Sequence, residues 1–330
     1  MKTALITVIV VIAVLILITL LICGFIFSYL ICTKPVSLPA FVVRTVESFM
    51  AGNEMPDSYD ADAAVAEEKL KSLPFEHVTL KADNSERIKG HILRPDNPNG
   101  CVVIACHGAR SSAMGEFCFM IPHLYKLGYT LVLPEHRGCG ISDGKYMGYG
   151  THESEDGMRW LEYTQNKFKN YDVFLLGVSM GAATVLMMSN KVKDTNVRGI
   201  IADCSYTSAW DEFSYQLKTS FHLPAFPLLY ICDLYCRLFA HYSFKDASPL
   251  DCVKKSSVPT LFIHGEDDDF VPYYMQKILY DSCSAPKDIL SVSGAVHARS
   301  CYTAPELYIN KINDFMMKYR KTAFNSSVDF

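Results

Sequence analysis

The chain predicts an α/β fold: a mostly parallel eight-stranded sheet with helices on both faces, set behind an apolar N-terminal helix. Three observations predict it. Short apolar runs alternate with helical patterns through most of the 330 residues. Several of those runs ("CVVIAC", "VFLLG", "GIIAD", "TLFIH") are continuously apolar apart from their end residues, as strands buried on both faces should be. No residue from 3 to 33 is charged.

The N-terminal segment comes first. Residues 4–31 are almost wholly aliphatic, and as a helix they extend ~42 Å, more than the ~30 Å hydrocarbon core of a bilayer. A signal-peptide core is shorter, no Ala-x-Ala-like cleavage site follows, and Cys23 and Cys32 each follow Ile rather than a small residue. The division expected is a transmembrane anchor at 1–33, a connector at 34–58 and a globular domain at 59–330. Within the connector, 38–50 is partly amphipathic and suits a membrane surface. Lys2 lies on one side of the span and Lys34 and Arg44 on the other, so positive charge barely orients it. The very short N-terminal tail favours a domain outside the cytoplasm.

In the domain, a short helix near 61–71 leads into strands near 77–82 and 87–94. Their polar alternation suits an antiparallel edge hairpin turned at "DNSE". Strands follow near 101–106, 130–134, 172–177, 197–202, 259–264 and 288–293, and helices near 116–127, 151–168, 180–191, 273–283 and 305–321. About fifty residues interrupt the alternation between Asp203 and Pro259. This aromatic insertion (205–248) reads as a lid, as a helical pair packed on the sheet edge, or as a membrane-contacting surface.

Composition narrows the function. Half the residues are apolar, a fifth are charged and the net charge is −4, with no basic patch to bind nucleic acid. Ten of the twelve cysteines lie outside the anchor, too sparse for a disulfide scaffold, and no Cys-x-x-Cys suggests zinc. Cys232 and Cys236 read as two packed thiols. The "EDDD" run at 266–269 lacks the spaced ligands and glycine of a calcium loop.

The chemistry gathers around "FLLGVSMGAATV". Gly-x-Ser-x-Gly is common by chance, but here Ser179 follows an apolar strand and precedes a helical pattern, the setting of a nucleophile elbow. Gly177 and Gly181 let strand and helix approach, and the amide of Met180 falls at a helix N-terminus, where it can bind an oxyanion. A serine hydroxyl needs a base. His297, in "SVSGAVHARS" after the last strand, meets that demand. An acid should follow the preceding strand, where "HGEDDDFVP" offers Glu266, Asp267, Asp268 and Asp269; spacing does not choose among them. "IACHGARSS" makes the amide of Ala109 a second oxyanion donor, with His107 a structural loop residue. "LPEHRGCGISDG" reads as a tight loop with Arg137 in a buried hydrogen-bond network.

Taken in order, "HGAR", "HRGCGISDG", "GVSMG", "HGEDDDFVP" and "GAVHARS" resemble the landmarks of the α/β-hydrolase superfamily, over nearly the whole chain after the anchor. The nearest likeness is to bacterial single-pass hydrolases related to serine aminopeptidases and prolyl-oligopeptidase-type enzymes. The resemblance aligns His264, Gly265, Asp268, Val271 and Pro272 with His-Gly-x-x-Asp-x-x-Val-Pro, and so selects Asp268 as the acid. "EHRG" departs from the Asp-x-Arg-Gly of many relatives. The expectation is a membrane-anchored serine hydrolase with Ser179, His297 and Asp268 catalytic, Ala109 and Met180 binding the oxyanion, and no metal or organic cofactor. A carboxylic ester is the first substrate class. A peptidase, and a non-catalytic membrane-attached binding module, are the alternatives.

Overall fold

The structure, a computed structural model, describes residues 2–34, 58–83, 85–193 and 195–321. The expected connector, with its amphipathic 38–50, thus lies almost entirely outside the described residues. In chain order the elements are α1 (Lys2–Ile31), α2 (Tyr59–Leu70), β1 (Glu76–Lys81), β2 (Arg87–Leu93), β3 (Cys101–Cys106), α3 (Ala113–Phe117), α4 (Ile121–Lys126), β4 (Thr130–Pro134), α5 (Thr151–Lys167), β5 (Asp172–Val178), α6 (Met180–Met188) and β6 (Val197–Asp203). Then come α7 (Ala209–Thr219), α8 (Leu228–Tyr235) running into a π-helical turn (Cys236–Ala240), α9 (Pro249–Val253), β7 (Thr260–Gly265), α10 (Tyr274–Ser282), β8 (Lys287–Val292), α11 (Ser300–Thr303) and α12 (Pro305–Tyr319).

The strands join in the order β1-β2-β4-β3-β5-β6-β7-β8. β1 and β2 form the antiparallel edge, β2 also runs antiparallel to β4, and every later pairing is parallel. Apolar runs buried on both faces need helices on both. Leu70, Phe117, Leu124, Ile312 and Phe315 bring α2, α3, α4 and α12 to one face; Trp160, Leu186, Val253 and Leu279 bring α5, α6, α9 and α10 to the other.

One expectation is corrected. The helix read over 116–127 is two short helices, α3 and α4, with Pro122 in the first turn of the second. Proline lacks an N–H and suits a helix start, so it opens α4 rather than lying within a longer helix.

α1 also differs from a simple tether. Leu5 to Ile22 are exposed large apolar residues at nearly every position, but Cys23, Phe27 and Ile31 are buried in a third apolar cluster with Phe213, Leu229 and Val271, beyond the ends of β6 and β7. Met147 donates its amide to the Ile31 carbonyl (2.8 Å), Thr33 donates to Lys145 (3.0 Å), and the Tyr149 hydroxyl donates to Leu30 (3.1 Å). A boundary at residue 33 therefore falls after, not before, the turns of α1 that pack into the domain.

Candidate active site

The elbow follows from sterics. A Cβ on Gly177 would lie 2.1 Å from the Gly181 carbonyl oxygen, and one on Gly181 would lie 1.9 Å from that of Cys106. Only glycine permits β5, β3 and α6 to meet so closely. The turn forces Ser179 to φ 55°, ψ −119°, a conformation costing ~1–3 kcal/mol for a non-glycine residue. The Ser179 amide donates to the Asp203 carbonyl (2.9 Å), which ties the strained residue to the end of β6.

His297 lies after β8 with Nε2 2.9 Å from Ser179 Oγ and Nδ1 2.8 Å from Asp268 Oδ2. Glu266, Asp267 and Asp269 are exposed, whereas Asp268 is buried. Asp268 Oδ1 accepts the amides of Phe270 (3.1 Å) and Val271 (2.9 Å), and Oδ2 also lies 3.1 Å from His264 Nε2. Burial alone would raise this carboxyl, but the charges and hydrogen bonds of His297 and His264 outweigh it and hold Asp268 well below the usual carboxylate range. An ionised Asp268 only accepts, so His297 carries its proton on Nδ1 and Nε2 accepts from the serine hydroxyl. Burial disfavours charge on His297, yet Asp268 prevails and raises its pKa above the ordinary histidine value.

Ala109 and Met180 flank Ser179, and among the described residues no acceptor takes either amide. His107 is buried and accepts the His136 amide on Nε2 (3.0 Å); burial lowers its pKa to about 3, so it is a neutral framework residue. Arg137 donates two 2.7 Å bonds to buried Asp156, and Gly138 and Gly140 take φ of 72° and 49° in the tight loop read there.

Two spaces meet at Ser179. A polar cleft of about 540 Å³ is lined by Asp60, Glu67, Lys71, Glu116 and Arg299. An apolar pocket of about 180 Å³ lies on the other side, roofed by the insertion through Phe213, Leu217 and Leu229 and walled by Phe25, Ile26, Tyr29 and Leu30 of α1. The α1 residues and Glu212 went unread in the sequence. Glu212 also lines this pocket; its Oε1 accepts from Gln216 (3.0 Å), Oε2 is buried without a partner, and burial pushes it up to about 8. A charged residue inside an aromatic insertion was its only signal.

Cys204, Asp268 and His297 form a trio of metal-ligand type, with donor atoms within 4.8 Å of one another. The trio does not fit a metal. Burial pushes the Cys204 thiol well up, away from the thiolate a metal takes, and the other two groups already bond each other. All twelve cysteines are free thiols.

A family model described as the alpha/beta hydrolase fold matches residues 102–224. The chain is 31% identical over 232 residues to the Bacillus subtilis (strain 168) protein YqkD, covering 69% of this chain and 75% of that one. The chain belongs to the α/β-hydrolase family. A more distant relative of this hydrolase is the Danio rerio lysophosphatidylserine lipase ABHD12, 22% identical over 65% of this chain and 58% of the relative. Among solved structures, the Pyrococcus furiosus esterase Pf2001 superposes with a TM-score of 0.62 over 82% of this chain and 98% of that one, at 21% identity. That likeness is one of fold.

Proposed function

We propose that the protein is a membrane-anchored serine hydrolase that cleaves a carboxylic ester through an acyl-enzyme on Ser179. The observation that carries the reading is the continuous hydrogen-bonded chain from Ser179 Oγ through His297 to a buried, ionised Asp268. His297 Nε2 takes the hydroxyl proton as Oγ attacks the carbonyl carbon. The resulting oxyanion takes the amides of Ala109 and Met180. The C–O bond to the alcohol breaks and His297 returns the proton to it. Water then attacks the acyl-serine, His297 again accepts and returns the proton, and the acid leaves. Asp268 holds the imidazole tautomer and stabilises the imidazolium.

The two spaces support the substrate class. An apolar acyl chain fits the pocket under the insertion, and a polar alcohol fits the acidic and basic cleft opposite. The anchor reading rests on α1, a 30-residue helix long and apolar enough to cross a bilayer. Rapid mixing with p-nitrophenyl esters of graded chain length, beside aminoacyl and peptidyl anilides, tests the proposal. A burst of one p-nitrophenol per Ser179, with a preference for medium or long acyl chains, is expected. Turnover of anilides alone would replace it with the peptidase reading, and no turnover of either with the binding module.

A further inference from the structure

We infer that the outer face of the insertion is embedded in the bilayer beside α1, so that the apolar pocket is filled from the membrane rather than from water. The inference rests on the anchor reading for α1 and, for its kinetic arm, on the serine-hydrolase reading.

The stripe is plain in the residue numbers. Tyr230, Leu234 and Leu238 recur at i, i+4 along α8 and its π-helical turn, Phe226 lies in the turn just before α8, and all four are exposed; Phe226 is 71% exposed and Leu238 58%. Large exposed apolar stripes are rare on soluble monomers and mark contact with a protein or a membrane. What covers this one is decided by its neighbour. A neighbouring side of α8 packs on α1: the Tyr235 ring meets Phe27 (6.2 Å), and its hydroxyl donates to the Leu20 carbonyl (3.2 Å). Leu20 lies inside the exposed stretch from Leu5 to Ile22, ~27 Å long and close to the ~30 Å hydrocarbon thickness. A span placed in lipid therefore carries α8 to the hydrocarbon boundary.

Charge agrees with that placement. From 221 to 240 the one exposed Lys, Arg, Asp or Glu is Arg237, which turns back to Asp233 (2.9 Å) and Ser243 (3.0 Å). At the edge of the stripe Trp210 meets Tyr230 edge-on at 5.0 Å, and the Lys245 ammonium sits 4.5 Å from the Trp210 ring. Aromatic rings with a basic group beyond them are what the headgroup boundary favours. Leu223 is both exposed and part of the pocket wall, so one apolar residue of the insertion faces outward and also borders the space beside Ser179. Ile26 and Leu30 of α1 line that same space.

The test uses the full chain in vesicles. Phosphatidylcholine with brominated acyl chains should quench the emission of Trp210 and leave that of Trp160, buried in the sheet core; Trp210→Phe should abolish the quenchable component. Phe226→Asp, Leu234→Asp and Leu238→Asp combined should slow hydrolysis of a long-chain monoacyl ester in vesicles about tenfold or more and leave a water-soluble acetyl ester unchanged. Unquenched Trp210 in the wild type, or vesicle turnover unaltered by the triple substitution, would overturn the inference. A dimer that this substitution converts to a monomer, with Trp210 unquenched, would assign the stripe to a second copy. If the wild type hydrolyses nothing, the enzymatic reading fails while the quenching still decides membrane contact.

Discussion

The strand-end loops around Ser179 and the roof above them are built on opposite principles. In the loops the acid and the backbone are pinned: Asp268 takes two amides and faces two imidazoles, and two glycines stand where any Cβ would collide with backbone. In the roof, α1 and the insertion meet through apolar side chains, leave a cavity, and turn a second apolar face outward. On the proposed reading the loops set which reaction occurs, and the roof sets which molecule reaches the serine and from which phase.

The sharpest way to break that comparison is to disturb the loops. Asp268→Asn removes the charge that fixes the His297 tautomer and should lower kcat by ~10³–10⁴, while Asp267→Asn and Asp269→Asn, at exposed positions, change it little. The acid limb of the kcat/KM profile should follow neutral His297: activity rises with pH through a value above ~6.5 in the wild type. An acid limb unmoved by loss of the Asp268 charge would contradict this coupling. Next in size is Gly181→Ala. Its Cβ would fall 1.9 Å from the Cys106 carbonyl oxygen, so denaturant unfolding should show a loss of about 3 kcal/mol.

Roof substitutions should act on selectivity. Ile26→Trp fills the pocket from the α1 side and should lower the ratio of octanoate to acetate ester turnover about tenfold, with acetate turnover retained. An unchanged ratio would remove α1 from the acyl wall. At Glu212 the effect expected is on stability rather than on turnover. Its folded pKa of about 8 lies above the ordinary glutamate value, so the native state holds an extra proton between ~4.3 and about 8. Stability should therefore fall as pH rises through that window, and Glu212→Gln should flatten the dependence of Tm on pH.

The same contrast explains what could be read from the chain. "CVVIAC" and "TLFIH" predicted β3 and β7 within a residue because a strand buried on both faces leaves an unbroken apolar run. Ser179, His297 and the acidic quartet were legible because the fold fixes where each loop must fall. The choice of Asp268 needed either the family pattern or the coordinates, since four adjacent acids look alike until burial separates them. The roof was illegible for the converse reason. An aliphatic helix looks the same whether its last turns are bathed in lipid or packed on a domain, and nothing in "CGFIFSYLI" marks Ile26 or Tyr29 as pocket lining. Pro122 could have warned that 116–127 was two helices, since proline starts helices more readily than it continues them.

The central claim is that Ser179 is a nucleophile activated by His297. A fluorophosphonate probe followed by peptide mass spectrometry tests it directly. A single adduct on the Ser179 peptide, absent in Ser179→Ala and strongly diminished in folded His297→Ala, is the predicted result. A folded wild type that never labels, or an adduct that maps to another residue and persists in both variants, would contradict it.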